Sequence, residues 1–152
     1  MSLLVRPAEP TDVPMIASLE ETAFPLDPWS ATLLAEGVSG QVPTVTVLVA
    51  VVEENVAGYA VVSVVDVDAE LQRIAVVEEH RLQGVASALL TAVRAHAAAA
   101  ESERVLLEVR EDNLAAQAFY RRHEFTELGR RAGYFRDGTT ALVLSTTLTM
   151  EE

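Results

Sequence analysis

The sequence predicts an α+β fold built on one mixed β-sheet. Three observations carry that expectation. Short valine-rich runs bounded by turn residues recur along the chain. Helical patterns join some of them into two strand–helix units, and 152 residues are enough for one packed core but not two. Strands precede, flank and follow those units, which mixes parallel with antiparallel neighbours. No internal repeat, low-complexity tract or linker interrupts the pattern, so one domain is expected over residues 1–150.

Leu3-Leu4-Val5-Arg6-Pro7 reads as a first strand, and Glu9-Pro10-Thr11-Asp12 supplies a capping residue and a proline suited to a helix start. The helix runs to about Phe24, with Val13, Ile16, Ala17 and Leu19-Glu20 at helical spacing, and Pro25 and Pro28 end it. Trp29-Ser30 opens a second short helix through Leu33 and Leu34 to Gly37. Thr44 to Val52 and Val56 to Val65 read as a hairpin of buried strands turning at Glu53-Glu54-Asn55. After a turn at Asp66 to Asp68, Glu70 to Val77 is a third strand. Alanine, leucine and valine then recur on one helical face from Gly84 to about Ala100. Val105 to Val109 is again a strand and Asn113 to Arg122 a helix, and Phe125 to Arg130 with Ala141 to Thr149 forms a closing antiparallel pair.

Half of the residues are hydrophobic and 22% are charged, the balance of a soluble globular chain. The longest apolar stretch, Val42 to Val52, carries two threonines and falls short of the ~20 residues of a membrane span. No basic-then-apolar leader opens the chain, and the cytoplasm is the expected compartment. Absence of cysteine excludes disulfides, thiolate zinc sites and a cysteine nucleophile. His80, His96 and His123 lack metal-ligand spacing and read as surface or turn residues, so no metal is expected. A net charge of −12 repels nucleic acid. It either favours a basic partner or serves only solubility.

Ile74 to Ser87 take the chain from strand to helix through Gly84 and small residues. Such a turn exposes backbone N–H groups at a helix N-terminus, where unpaired amides and the helix dipole favour a phosphate. Glycine allows any backbone conformation the loop needs, and at Gly84 and Ala86 nothing beyond a methyl holds a pyrophosphate off the amides. Arg81 adds a local cation. Taken alone, the same residues equally describe a helix start packed tightly on a sheet.

Arg81-x-x-Gly84-x-Ala86 after a strand is similar to the Q/R-x-x-G-x-G/A motif of GNAT acetyltransferases, and the order of elements resembles that family from Arg6-Pro7-Ala8 to the last strand. The resemblance implies a single GNAT domain, with a mixed, mostly antiparallel sheet flanked by helices on both faces. It implies acetyl-coenzyme A as co-substrate, entering where two neighbouring strands splay. It also implies that backbone groups of Ile74, Ala75 and Val76 pair with the pantetheine arm, and that Arg81, Leu82, Gln83, Gly84, Val85, Ala86 and Ser87 hold the pyrophosphate.

Glu108 interrupts the apolar run Val105-Leu106-Leu107-Glu108-Val109, a strand expected to be covered on both faces, where a carboxylate must be paired or solvated. Tyr120 follows on the next helix; a phenol can protonate a departing thiolate, whose reference pKa of about 8.5 lies below its own. By themselves the two read equally as a strand-end ion pair and a core residue. Together, Leu107-Glu108-Val109-Arg110-Glu111-Asp112-Asn113 through Phe119-Tyr120 resembles the L-E-V-R-x-x-N-x-x-A-x-x-L/F-Y signature of the ribosomal-protein S18 alanine N-acetyltransferase (RimI) family. That resemblance implies Glu108 as general base, Tyr120 as general acid and Asn113 as a coenzyme A contact.

Phe24-Pro25-Leu26-Asp27-Pro28-Trp29-Ser30 resembles the family's F-P-W-S segment at the substrate entrance, and Gly129 to Phe135 its R-x-x-Y-Y segment, which implies Trp29 and Tyr134 as substrate contacts. The implied reaction is direct attack by the N-terminal amine of a protein, with the basic N-terminus of ribosomal protein S18 as the expected partner. Acetylation of a small amine or antibiotic by the same fold, or non-catalytic acyl-coenzyme A sensing, are the alternatives. Three positions depart from the pattern: Leu26-Asp27 are inserted before Pro28, Phe135 stands for a second tyrosine, and Glu124 stands where the family has glycine. The last predicts a strained or differently shaped turn after Tyr120.

Overall fold

Both faces of the sheet carry helices, which is why its central strands read as near-continuous valine runs rather than alternating patterns. The computed structural model describes residues 2–148. β1 (Leu3–Pro7), β2 (Val45–Val52), β3 (Asn55–Val65) and β4 (Asp68–Val76) form an antiparallel meander. β5 (Arg104–Arg110) lies parallel to β4, and β7 (Ala141–Thr147) is inserted antiparallel between β5 and the edge strand β6 (Thr126–Arg131). The expected α+β domain with a mixed, mostly antiparallel sheet is therefore observed. Thr149, assigned above to the last strand, lies outside the described residues.

Side-chain alternation sends Val47, Val49, Tyr59 and Val61 to one face, where Ile16 and Leu19 of α1 (Val13–Ala23) and Leu34 of α2 (Ala31–Ser39) pack on them. Leu48, Ala50, Ala60 and Val62 face the other way, against Leu89, Leu90 and Val93 of α3 (Val85–Ala99). Tyr120 of α4 (Leu114–Arg122) joins that second core. Ser30 caps α2 by accepting the Leu33 N–H at 3.1 Å, and the helix runs on to Ser39, past the expected end at Gly37, before Gly40 stops it at φ +86°. Among the described residues no helix is long and apolar enough to cross a membrane.

A register shift between β3 and β4 sets up the site. Val61 pairs with Arg73 but Val62 pairs with Leu71, so Gln72 is an extra residue. Leu71 therefore faces α3 while Arg73, two positions on, faces α1.

The turn after Tyr120 is strained in the manner the departure predicts. Glu124 sits at φ +72°, a conformation that costs a non-glycine residue about 1–2 kcal/mol. Its 3.9 Å approach to Arg94 involves an 85% exposed side chain and returns little. Glu124→Gly is thus expected to raise stability by about 0.5–1 kcal/mol after allowing for the added chain entropy of glycine, which a denaturant melt would measure.

Candidate active site

The gap between β4 and β5 organises the site. The two strands pair only at Asp68–Arg104, Ala69–Val105 and Glu70–Leu106, and beyond Glu70 the outer edge of β4 runs free to Val76. On the inner edge the Val77 N–H donates to Ala57 O at 2.8 Å. By the alternation of an antiparallel ladder, Arg73 and Ala75 then turn their backbone groups to β3, and Ile74 and Val76 turn theirs into the gap. Of the three residues expected to pair with the pantetheine arm, Ile74 and Val76 turn their backbone toward the gap, and Ala75 turns its own toward Tyr59 of β3. Gly58 lets β4 lie this close, since a Cβ there would stand 2.8 Å from the Ala75 carbonyl oxygen.

At the open end of the gap the chain enters α3. Arg81 is tied to β4 through its Nε, 3.3 Å from Val76 O, and the Gln83 side chain folds back on His80. Leu82 and Gly84 both take positive φ, +64° and +87°. The first i→i−4 bond runs from Ala88 N to Gly84 O, which leaves the N–H groups of Val85, Ala86 and Ser87 without helical partners. A Cβ on Gly84 would meet nothing within 4 Å, so the turn that leads into these amides is uncrowded. The segment can receive an anion. Ser87 Oγ lies 3.1 Å from His123 Nε2, which joins the first turn of α3 to the end of α4.

Strand alternation sends Leu107 and Val109 into the α3-side core and Glu108 to the opposite face. There the strand is not covered: Glu108 is 23% exposed on a cavity of about 500 Å³, together with Ser63, Glu70, Leu106 and Arg131. Its Oε2 lies 3.0 Å from Arg131 Nη1, and the Arg131 guanidinium stands 4.9 Å from the centre of the Tyr134 ring. Arg131 thus links Glu108 to the half-exposed Tyr134.

Tyr120 packs on the other face, its ring edge-on to Phe119 and Phe125 at 5.2 and 5.6 Å. Burial pushes its phenol up to about 12. Among the described residues the hydroxyl takes no hydrogen-bond partner. Ser102 Oγ is the only sealed, unpartnered side-chain oxygen or nitrogen among the described residues, so the Tyr120 oxygen keeps contact with open space. Glu108 and Tyr120 therefore flank β5 from opposite faces, both readings offered by the residues alone being met at once: an ion pair and a core ring.

Asn113 caps α4, its Oδ1 accepting the Ala116 N–H at 3.1 Å. Gln117, buried behind it, donates to the carbonyls of Arg110 and Glu111 and fixes the β5–α4 turn. Arg110 holds Asp112 and Asp137, and with the added hydrogen bonds from Thr139 it keeps the Asp137 carboxyl low, at about 2. Trp29 is half-buried against α1 and β4. Among the described residues no group of His, Asp or Glu is arranged to hold a metal.

A cluster absent from the sequence reading lies beside the gap. Glu20 of α1 is fully buried and accepts hydrogen bonds from the Tyr59 hydroxyl, the Trp29 N–H at 2.8 Å and Arg73, whose Nη2 is 3.0 Å away. Burial and the neighbouring carboxylate both raise the Tyr59 phenol. Its one trace in the sequence is an acidic residue on the apolar stripe of a helix.

The sequence profile of the Acetyltransferase (GNAT) family matches residues 13–125. No curated protein sequence gives a significant match. Among solved structures, the fold is similar to Ard1 from Thermoplasma volcanium, with a TM-score of 0.88 at 24% identity over 99% of this chain and 100% of that one. The ribosomal-protein-S18-alanine N-acetyltransferase from Escherichia coli superposes with a TM-score of 0.85 at 28% identity over 99% and 97%. Arabidopsis thaliana NAA60 in complex with acetyl-CoA gives 0.85 at 18% identity over 96% and 98%.

Proposed function

This chain belongs to the acetyltransferase (GNAT) family, whose members use acetyl-coenzyme A, and on that premise we propose that it acetylates the N-terminal amine of a protein, an S18-type alanine N-terminus foremost. The observation that carries the reading is the disposition of Glu108 and Tyr120 on opposite faces of β5, beside its splay from β4. The 28% identity with the Escherichia coli S18 enzyme supports the choice of acceptor.

The residues fit the co-substrate. The uncrowded turn at Gly84 and the amides of Val85 to Ser87, without helical partners, suit a pyrophosphate, and the gap-facing backbone of Ile74 and the Val76 N–H suit an amide-bearing arm, the Val76 carbonyl being engaged by Arg81. Bound there, acetyl-coenzyme A supplies the activated acetyl group. An α-amine, with a reference pKa of about 7.7–8.0, is largely protonated at pH 7 and must lose that proton before it attacks. Glu108, directly or through one water, accepts it at a carboxylate oxygen. Tyr120, protonated throughout the working range, donates its proton to the departing thiolate. With no cysteine to carry an acetyl group, attack is direct, and holding both reactants at the gap supplies much of the acceleration. Trp29 and Tyr134 border the entrance of the acceptor peptide.

Turnover of an S18-type peptide against a panel of polyamines tests the reading: preference for the peptide supports it, and preference for a polyamine overturns it. The net charge of −12 adds an expectation. Attraction to a basic N-terminus acts mainly on encounter, so kcat/KM for a basic peptide is expected to fall several-fold between about 0.01 and 0.15 M ionic strength, as the Debye length shrinks from roughly 30 to 8 Å. A flat salt profile would mean that the acidity serves solubility alone.

A further inference from the structure

The segment 24–30 is three residues longer than the F-P-W-S pattern, with Leu26 82% exposed at its tip, and something must hold it in one place. A turn closed by Asp27 N–H to Phe24 O at 3.3 Å gives it shape. Its attachment to the body of the protein converges on one side chain. The Arg73 guanidinium lies 4.1 Å from the Phe24 ring centre and 4.4 Å from that of Trp29, in van der Waals and cation–π contact with both. Nη2 donates to the inserted Asp27 at its carbonyl, 3.0 Å away. Nε and Nη2 also engage Glu20, which in turn accepts the Trp29 N–H.

Arg73 reaches that position only because of the extra residue at Gln72, and its neighbour Ile74 is one of the two residues whose backbone faces the gap. One side chain therefore references the segment 24–30 to the edge of β4. Arginine suits the task where lysine does not, since the flat guanidinium fits between two rings and divides its N–H groups between Asp27 O and Glu20. Glu20, with no exposed side-chain surface, pairs with the guanidinium and keeps it in register.

We propose that Arg73 is a positioning residue that fixes the acceptor entrance, holding the inserted 24–30 segment at the distance from the β4 edge that a peptide N-terminus requires; this rests on the N-terminal acetyltransferase reading above. Because Trp29 is the only tryptophan, its fluorescence reports on that segment whatever the acceptor proves to be.

Two variants test the inference. Arg73→Lys keeps a charge against Glu20 but loses the planar contact. The double variant Arg73→Met with Glu20→Gln removes both charges together, so that no buried carboxylate is left unpaired. In folded protein, acrylamide quenching of Trp29 is expected to at least double in both. Peptide KM is expected to rise about tenfold or more, with kcat within threefold and the acetyl-coenzyme A dissociation constant within twofold of wild type. Unchanged quenching, unchanged peptide KM, or equal losses for peptide and acetyl-coenzyme A would each overturn the proposal. Wild-type protein that turns over no peptide would instead overturn the N-terminal reading, and the quenching comparison would still decide whether Arg73 holds the segment.

Discussion

Glu108→Gln and Tyr120→Phe are each expected to lower kcat at least tenfold, and up to the roughly 10²–10⁴-fold typical of a lost general base or acid, while the acetyl-coenzyme A dissociation constant stays nearly unchanged. The structural cost of either change is small. Glutamine keeps the shape of Glu108 and an oxygen for Arg131 but cannot take up a proton at neutral pH. Phenylalanine keeps the edge-on contacts with Phe119 and Phe125, and the hydroxyl it lacks has no partner among the described residues to strand. Loss of rate would therefore report chemistry rather than unfolding.

The pH dependence separates the two. Glu108→Gln should recover part of its deficit as pH rises through the amine's own pKa, because the acceptor then arrives neutral; Tyr120→Phe should not. Burial holds the Tyr120 phenol at about 12, so wild-type turnover should not decline on its account until well above pH 10. The same shift has a sign for stability. The phenol is raised above its ordinary value of 10 in the folded state, so its neutral form contributes stability that is intact below pH 10 and lost as pH climbs toward 12. Wild-type kcat in both folded variants would remove the acid–base assignment.

Gly84→Glu is expected to weaken acetyl-coenzyme A binding by about 100-fold or more, read by calorimetry, since it sets a carboxylate against the amides that would meet phosphate. Two effects are combined in that variant, and Gly84→Ala separates them. At φ +87° any side chain is strained, by about 1–2 kcal/mol. A methyl meets nothing within 4 Å, so alanine should cost stability while losing far less affinity than glutamate. Unchanged affinity in folded Gly84→Glu would place the phosphates elsewhere.

Much of the architecture was legible in the sequence because its signals are local. Proline and glycine bound the helices, Ser30 announces α2, and valine runs mark strands buried on both faces. The positive φ at Glu124 was foreshadowed by a residue standing where the pattern has glycine. What remained hidden depends on register. Alternation alone would put Leu71 and Arg73 on one face; the extra residue at Gln72 parts them, and nothing in the composition of β4 signals a bulge. Without it, Arg73 cannot be paired with Glu20 fifty-three positions earlier, nor Trp29 seen as part of a clamp. Likewise, that Ala75 faces Tyr59 while Ile74 and Val76 face the gap follows from which ladder bonds form, a property of two strands and not of one segment. Glu108 shows the same limit: its strand reads as doubly covered, yet the cavity beside Arg131 leaves one face open.

Acetyl transfer to a protein α-amine is read most directly from acetylation of a peptide library varied at its first residues, with the acetyl position located by mass spectrometry. Acetyl-coenzyme A-dependent modification is expected at the N-terminal nitrogen, strongest on S18-type sequences that begin with alanine and absent when that nitrogen is blocked. Acetylation on lysine side chains of the blocked peptides, or no transfer to any α-amine by protein that binds acetyl-coenzyme A, would contradict it.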